Sequence, residues 1–184
     1  YRLWEVAGAP HMDKIYYQHM PVTEDQTKAG QPAFFTNWPM AYICTPDIEL
    51  LDFPIMRYTV NAAFAALDQW VRKGISPPRA ARINVLNPDT PAASYSTDEH
   101  GNAQGGVRSP YLDIPVATYS SHSPGPAVCN NLGRSIPFGW QKLEALYGNS
   151  QNYSNLLLEN LAKQASEGWL TPADHARILD ELVK

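Results

Sequence analysis

His11 is the side chain in this sequence best placed to carry a proton. It follows the strand-like residues Tyr1-Arg2-Leu3-Trp4-Glu5-Val6 across the short turn Ala7-Gly8-Ala9-Pro10. A general base needs a rigid support and a ring open to substrate, and a strand-end loop supplies both. An ordinary surface-loop histidine would sit in the same place, so position alone leaves both readings open. Two carboxylates stand near it, Glu5 and Asp13. Either could orient an imidazole, although the local geometry is poor for both. The plainer readings are a hydrogen-bonded strand glutamate and a loop-capping aspartate.

Other groups could shape a site around such a base. Arg108, Tyr111 and Asp113 lie close together in sequence. They read either as the lining of an acyl or alcohol pocket or as an Arg–Asp pair that fixes a hairpin to the core. The aromatic-rich stretch with Phe34, Phe35, Trp38 and Tyr42 reads either as the wall of an apolar substrate site or as the small private core of a long loop. Metal chemistry finds no support. His11 and His19 lack the H-E-x-x-H spacing, and His100, His122 and His175 fall at turns, loops and a helix start. Cys44 and Cys129 are the only cysteines, too few for a cysteine zinc site, and no C-x-x-C occurs. They form either a disulfide, which would point to an exported protein, or two separate buried thiols.

These residues must be held by the surrounding elements. The opening strand-like segment reads as buried and closes in a Gly/Pro turn. His11 to about Phe53 is a long irregular stretch of the kind that is functional or packed on itself. Pro54 to Lys73 is the clearest helix: Val60, Ala63, Phe64, Leu67, Trp70 and Val71 follow the helical period, and Gly74 ends it. Arg82 to Leu86 alternates like a strand. Asp98-Glu99-His100-Gly101-Asn102 is a hairpin turn between Ala92–Thr97 and Ala103–Arg108. Tyr111 to Tyr119 reads as extended, interrupted by Pro115, and Ser120 to Pro126 as a loop. Helices are expected at Trp140–Tyr147, Ser150–Glu167 and from Pro172 to about Val183. The last is introduced by Thr171-Pro172-Ala173-Asp174, which has capping-box spacing.

The bulk numbers agree with a soluble globular chain. There are 184 residues, 44% hydrophobic and 17% charged, with a formal net charge of -4 and no dense Lys/Arg cluster. That balance argues against nucleic acid as a main partner. No apolar run is long enough to span a bilayer. The chain opens inside a strand-like segment, at Tyr1, with no leader pattern before it, and we therefore expect polypeptide upstream.

The segment Trp4-Glu5-Val6-Ala7-Gly8-Ala9-Pro10-His11-Met12-Asp13 resembles the WEVAG-x-x-H-x-D segment of bacterial and fungal "α/β hydrolase domain" proteins. The similarity continues through Tyr58–Ala63, Leu67–Arg72, Gly101–Tyr111, Asp113–Tyr119, Pro137-Phe138 and the terminal helices. It implies an α/β fold in which residues 1–86 form the C-terminal end of a hydrolase core, with its last core strand, a long loop and an amphipathic helix. Residues 87–184 would add a β-hairpin and helical extension packed on the same domain. It also implies a serine-dependent carboxylic ester hydrolase needing no cofactor, with His11 as the triad histidine. No G-x-S-x-G occurs in these residues, and in such enzymes the triad runs Ser, Asp or Glu, then His along the chain. The resemblance therefore puts serine, acid and oxyanion hole upstream, in the same polypeptide or an associated chain, and leaves this segment inert alone. It also leaves Cys44 no role as a thiol nucleophile. The alternative is a non-catalytic binding or structural module that retains hydrolase-like elements.

Overall fold

The computed structural model of the chain describes residues 1–14, 16, 23–30, 44, 49–52 and 55–182. Along the chain the elements are α1 (Thr23–Lys28), β1 (Glu49–Leu50), α2 (Ile55–Lys73), β2 (Val85–Leu86), β3 (Ser94–Tyr95) and α3 (Pro110–Asp113). There follow β4 (Ala117–Ser120), a 3-10 turn (Ala127–Asn131), β5 (Arg134–Pro137), α4 (Trp140–Tyr147), α5 (Ser150–Glu167) and α6 (Pro172–Leu182). They divide into two units. One comprises Tyr1–Ala9, Ile55–Thr118 and Pro137–Lys184, the other Pro10–Pro54 and Tyr119–Ile136.

In the first unit, α2 begins and ends where its sequence signals lie, but it packs by a different face from the one expected. Ile55, Tyr58, Thr59 and Ala62 are its buried residues. The seam read from the sequence faces outward: Val60, Phe64, Leu67 and Val71 are 37%, 70%, 49% and 78% exposed. The periodicity is present, but the burial belongs to the first two turns and to a neighbouring stripe. Trp70 is partly covered by Arg2, whose guanidinium lies 5.6 Å from the ring centroid.

The opening segment was expected to be a buried strand. None of Tyr1–Val6 is buried, and among the described residues the segment makes one bridge, Val6 with Val107, in parallel. The reason lies opposite it. Gly105 and Gly106 have φ of 75° and 68°, which turns the facing chain away before a ladder can form. At Gly106 the approach is so close that a Cβ would lie 2.6 Å from the Glu5 carbonyl oxygen. Side chains do the remaining anchoring. Arg2 Nε donates to Pro77 at 3.1 Å, Trp4 Nε1 to Pro78 at 3.0 Å, and the Trp4 and Trp169 rings meet edge to face at 5.0 Å.

The hairpin forms around its expected turn, with Thr97 bridging Ala103 and the Asp98 amide donating to the Asn102 carbonyl at 2.8 Å. Beside it, β2 pairs antiparallel with β3. The stretch from Tyr111 departs from its extended reading. Pro110 at a helix start makes Pro110–Asp113 the single turn α3, with Leu112 1% exposed, before the chain straightens into β4.

The last three helices fit their local signals. Gly148 and Gly168 terminate α4 and α5. Leu157 and Leu161 of α5 are buried, and its cap Asn149 accepts the Asn152 amide at 2.9 Å. Thr171 Oγ1 accepts the Asp174 amide at 3.1 Å and donates back to its carboxylate at 2.7 Å, closing the reciprocal cap of α6. Asn61 of α2 donates to both oxygens of the same carboxylate at 3.1 Å, so one capping aspartate also ties α6 to α2.

The second unit is built on the sheet of order β1-β5-β4, with β1 and β5 antiparallel. Cys44, Cys129 and Leu132 form its core cluster, with Met12 and Val128 packed against it. Cys44 and Cys129 are joined by a disulfide, which resolves in favour of the bond the two readings open at the sequence level.

Candidate active site

His11 lies on a backbone that is held on both sides. Before it, the Ala7 amide donates to the Val107 carbonyl at 2.9 Å and the Val107 amide to the Glu5 carbonyl at 2.6 Å. The chain then turns through Gly8, at φ 69°, where a Cβ would meet Leu112 Cδ2 at 3.1 Å. After it, the Met12 amide donates to Asn131 at 2.8 Å, the Gly133 amide to Met12 at 3.0 Å, and the Lys14 amide to Leu51 at 2.8 Å. Gly133 allows this close packing, since a Cβ there would lie 2.6 Å from Pro10. On each side of His11 the chain is thus bonded into its own unit by main-chain hydrogen bonds.

The imidazole itself is exposed. Among the described residues its one aromatic neighbour is Tyr16, with ring centroids 6.5 Å apart and planes at 44°, and no hydrogen bond to the ring is seen. A general base in this state has both nitrogens open to a nucleophile and an orienting group.

Neither nearby carboxylate fills the orienting role. Glu5 has one oxygen 2.5 Å from the Arg82 guanidinium and the other accepting the Ile83 amide at 2.8 Å. The hydrogen bond to Arg82, with help from the Ile83 amide, holds its carboxyl below the usual range. Asp13 accepts the Tyr16 amide at 2.7 Å, the bond of a loop cap. Both carboxylates are committed to the backbone or to an arginine.

Arg108 is the centre of a polar network. Its Nε lies 2.6 Å from Asp113 Oδ1 and its other nitrogens reach Asp98 Oδ2 at 3.2 Å, the Leu112 carbonyl at 2.7 Å and the Ala103 carbonyl. Asp98 also accepts the His100 and Asn102 amides, both at 2.9 Å. Asp113 accepts from Asn160 of α5 at 3.1 Å. One guanidinium therefore joins the hairpin turn, α3 and α5. The Arg108–Asp113 pair is legible in the sequence, whereas Asp98 has the signal of a turn residue alone and meets Arg108 only once the hairpin closes. Tyr111 is buried beside this network, at 8% exposure. Removing the arginine takes one charged donor from each of two carboxylates and two carbonyls. Arg108→Ala should lower stability by about 3 kcal/mol, read as a shift in denaturant midpoint. A shift under a third of that would mean that solvent replaces the guanidinium.

Phe34, Phe35, Trp38, Tyr42 and His19 lie outside the described residues. Among the described residues, no group of three or more His, Cys, Asp or Glu side chains could hold a metal ion, and no helix is long and apolar enough to cross a membrane.

Comparison with known proteins gives one result. The family model described as "Alpha/beta hydrolase domain" matches residues 1–180. No curated protein and no solved structure matches the chain.

Proposed function

Since the chain belongs to the alpha/beta hydrolase domain family, we propose that it supplies the general acid/base histidine, His11, of a carboxylic ester hydrolase whose serine lies upstream of Tyr1. The observation that carries this reading is an exposed imidazole, with no hydrogen bond to the ring among the described residues, on a chain whose backbone is bonded before and after it. The family model also spans this position, since its match covers residues 1–180.

The chemistry is acyl transfer. His11 takes the serine proton as the serine oxygen attacks the ester carbonyl, and the tetrahedral oxyanion forms. The imidazolium then protonates the departing alcohol, leaving an acyl-serine. In the second half, His11 takes a proton from water, the hydroxide attacks the acyl group, and the proton returns to the serine as the carboxylic acid leaves. No metal or redox cofactor enters this sequence. With Glu5 and Asp13 engaged elsewhere, the orienting acid is placed with the serine, in the order such triads follow.

Two further observations support the reading. The outward seam of Val60, Phe64, Leu67 and Val71 on α2 is a contiguous apolar face of the sort that a partner covers, and the serine-bearing segment is the partner proposed for it. The Cys44–Cys129 disulfide supports an exported protein, because such bonds persist in oxidising compartments.

A fluorophosphonate probe tests the proposal directly. The complete native protein, reacted and then digested, should carry the label on one serine outside these 184 residues. Ester hydrolysis that survives with no labelled serine, or a label on a serine within this segment, would sink it.

A further inference from the structure

We propose that the cavity between α4 and the start of α5 is a binding site for a small, neutral aromatic molecule. The cavity holds about 380 Å³ and is walled by Val116, Trp140, Leu143, Tyr147 and Tyr153, with Glu144 and the α4–α5 turn at its edge. That volume lies in the range of natural small-molecule sites, and the wall is of the apolar, aromatic kind that such sites use.

The way α4 is packed points to an occupant. Trp140, Leu143 and Tyr147 fall on one face of the helix, at the spacing by which a helix normally seals onto a core. Yet α4 buries none of its residues, and Trp140 is 68% exposed. The apolar face of α4 borders a hollow where the next layer of side chains would be.

Two rings are already set in place there. Tyr147 and Tyr153 meet edge to face at 5.1 Å, and the Tyr147 hydroxyl donates to the Pro115 carbonyl at 2.7 Å. With the hydroxyl used in this way, the ring is held in place as part of the cavity wall, and aromatic walls favour a further ring in offset or edge contact. Burial pushes the Tyr147 phenol up to about 12 and raises Tyr153 as well.

The charge pattern selects the class of ligand. Glu144 is the one ionisable carboxylate on the lining and no basic side chain stands with it, so an anionic ligand meets repulsion without compensation. Glu144 is also exposed and hence hydrated, which leaves it little pull on a cation. Aromatic faces and a dry wall then leave a neutral ring system as the occupant. None of these residues takes part in the proposed ester hydrolysis, and the inference stands or falls apart from it.

The test is a titration of the full chain with N-phenyl-1-naphthylamine, a neutral two-part aromatic dye, followed by its own fluorescence and by energy transfer from tryptophan. Saturable binding is expected with a Kd of about 10 µM. Leu143→Trp, which fills the cavity, should weaken it about tenfold or more. Trp140→Phe should keep binding but reduce the transfer. Phe64→Ser, on the outward seam of α2 and away from the cavity lining, should leave dye binding unchanged. If Leu143→Trp does not fold by circular dichroism, Val116→Phe fills the same space from another element and carries the comparison. Binding that does not saturate, that is untouched by the filling variants, or that is lost in Phe64→Ser would overturn the site. Equally tight binding of the anionic analogue anilinonaphthalene sulfonate would overturn the ligand class.

Discussion

Changing His11 to alanine in the complete protein should lower kcat for a carboxylic ester by on the order of 10⁴-fold, with KM altered little. A histidine that acts as general acid and base is used only on the way to the transition states, so its loss falls on kcat rather than on substrate binding. Stability should hold to within about 0.5 kcal/mol, because the ring is exposed and the loop is held by its backbone. This combination separates the catalytic assignment from a structural one. Loss of activity together with a large loss of stability would show that the ring shapes the loop. Activity within about tenfold of the parent would remove His11 from the mechanism. His11→Gln makes a useful companion, since it keeps a polar side chain of similar reach without an ionisable nitrogen, and it should be as inactive as the alanine variant.

Removing the disulfide should have the next largest effect. Cys44 and Cys129 close a loop with a sequence separation of 85, and crosslinking so long a loop restricts the unfolded chain strongly. Chain-entropy arithmetic gives about 4.6 kcal/mol for that length. Both sulfurs lie in the core cluster with Leu132, so the double Cys44→Ala, Cys129→Ala variant is preferable to serine, which would bury hydroxyls. Unfolding of the oxidised protein, the reduced protein and the double variant in urea is the measurement. The last two should agree with each other and fall well below the first. A difference under about 1 kcal/mol would mean that the reduced chain already holds these segments together.

The parts of this fold that were legible in the sequence are those fixed by near neighbours. Gly148, Gly168 and the Thr171–Asp174 cap set helix ends through bonds that span a few residues. The turn at Asp98–Asn102 needed only its own composition. What was not legible depended on distant partners. The seam on α2 has helical spacing, but whether Phe64 and Val71 are covered is decided by what lies against them. Periodicity finds a stripe without naming its neighbour. The opening segment has strand-forming residues, yet Gly105 and Gly106, far along the chain, deny it a ladder. Around α3, Pro115 drew attention to an edge strand, while the stronger signal was Ser109-Pro110, a helix start.

The site divides in the same way. The setting of His11, after a strand-like segment and a Gly/Pro turn, could be read residue by residue, and the family model that covers it agrees with the fold. The employment of Glu5 and Asp13 could not. Arg82 and Ile83 lie far from Glu5 in sequence, and only the folded chain shows that its carboxylate is taken. The aromatic cavity has no signal of its own: Trp140, Leu143 and Tyr147 have the spacing of one helix face, and a helix facing a hollow has the same pattern as one facing a core.

The capped pair α5 and α6 has a bearing on the order of events as the chain folds. The two helices are adjacent in sequence, joined by a short turn, and pack against each other. Their contacts close only small loops, so they cost little chain entropy before they form. By contrast, the bridge that anchors the approach to His11 must bring Val6 to Val107, and the Arg108 network must gather the hairpin, α3 and α5. The helical hairpin at the C-terminus is therefore the natural early nucleus, and the backbone that steadies the histidine is assembled late.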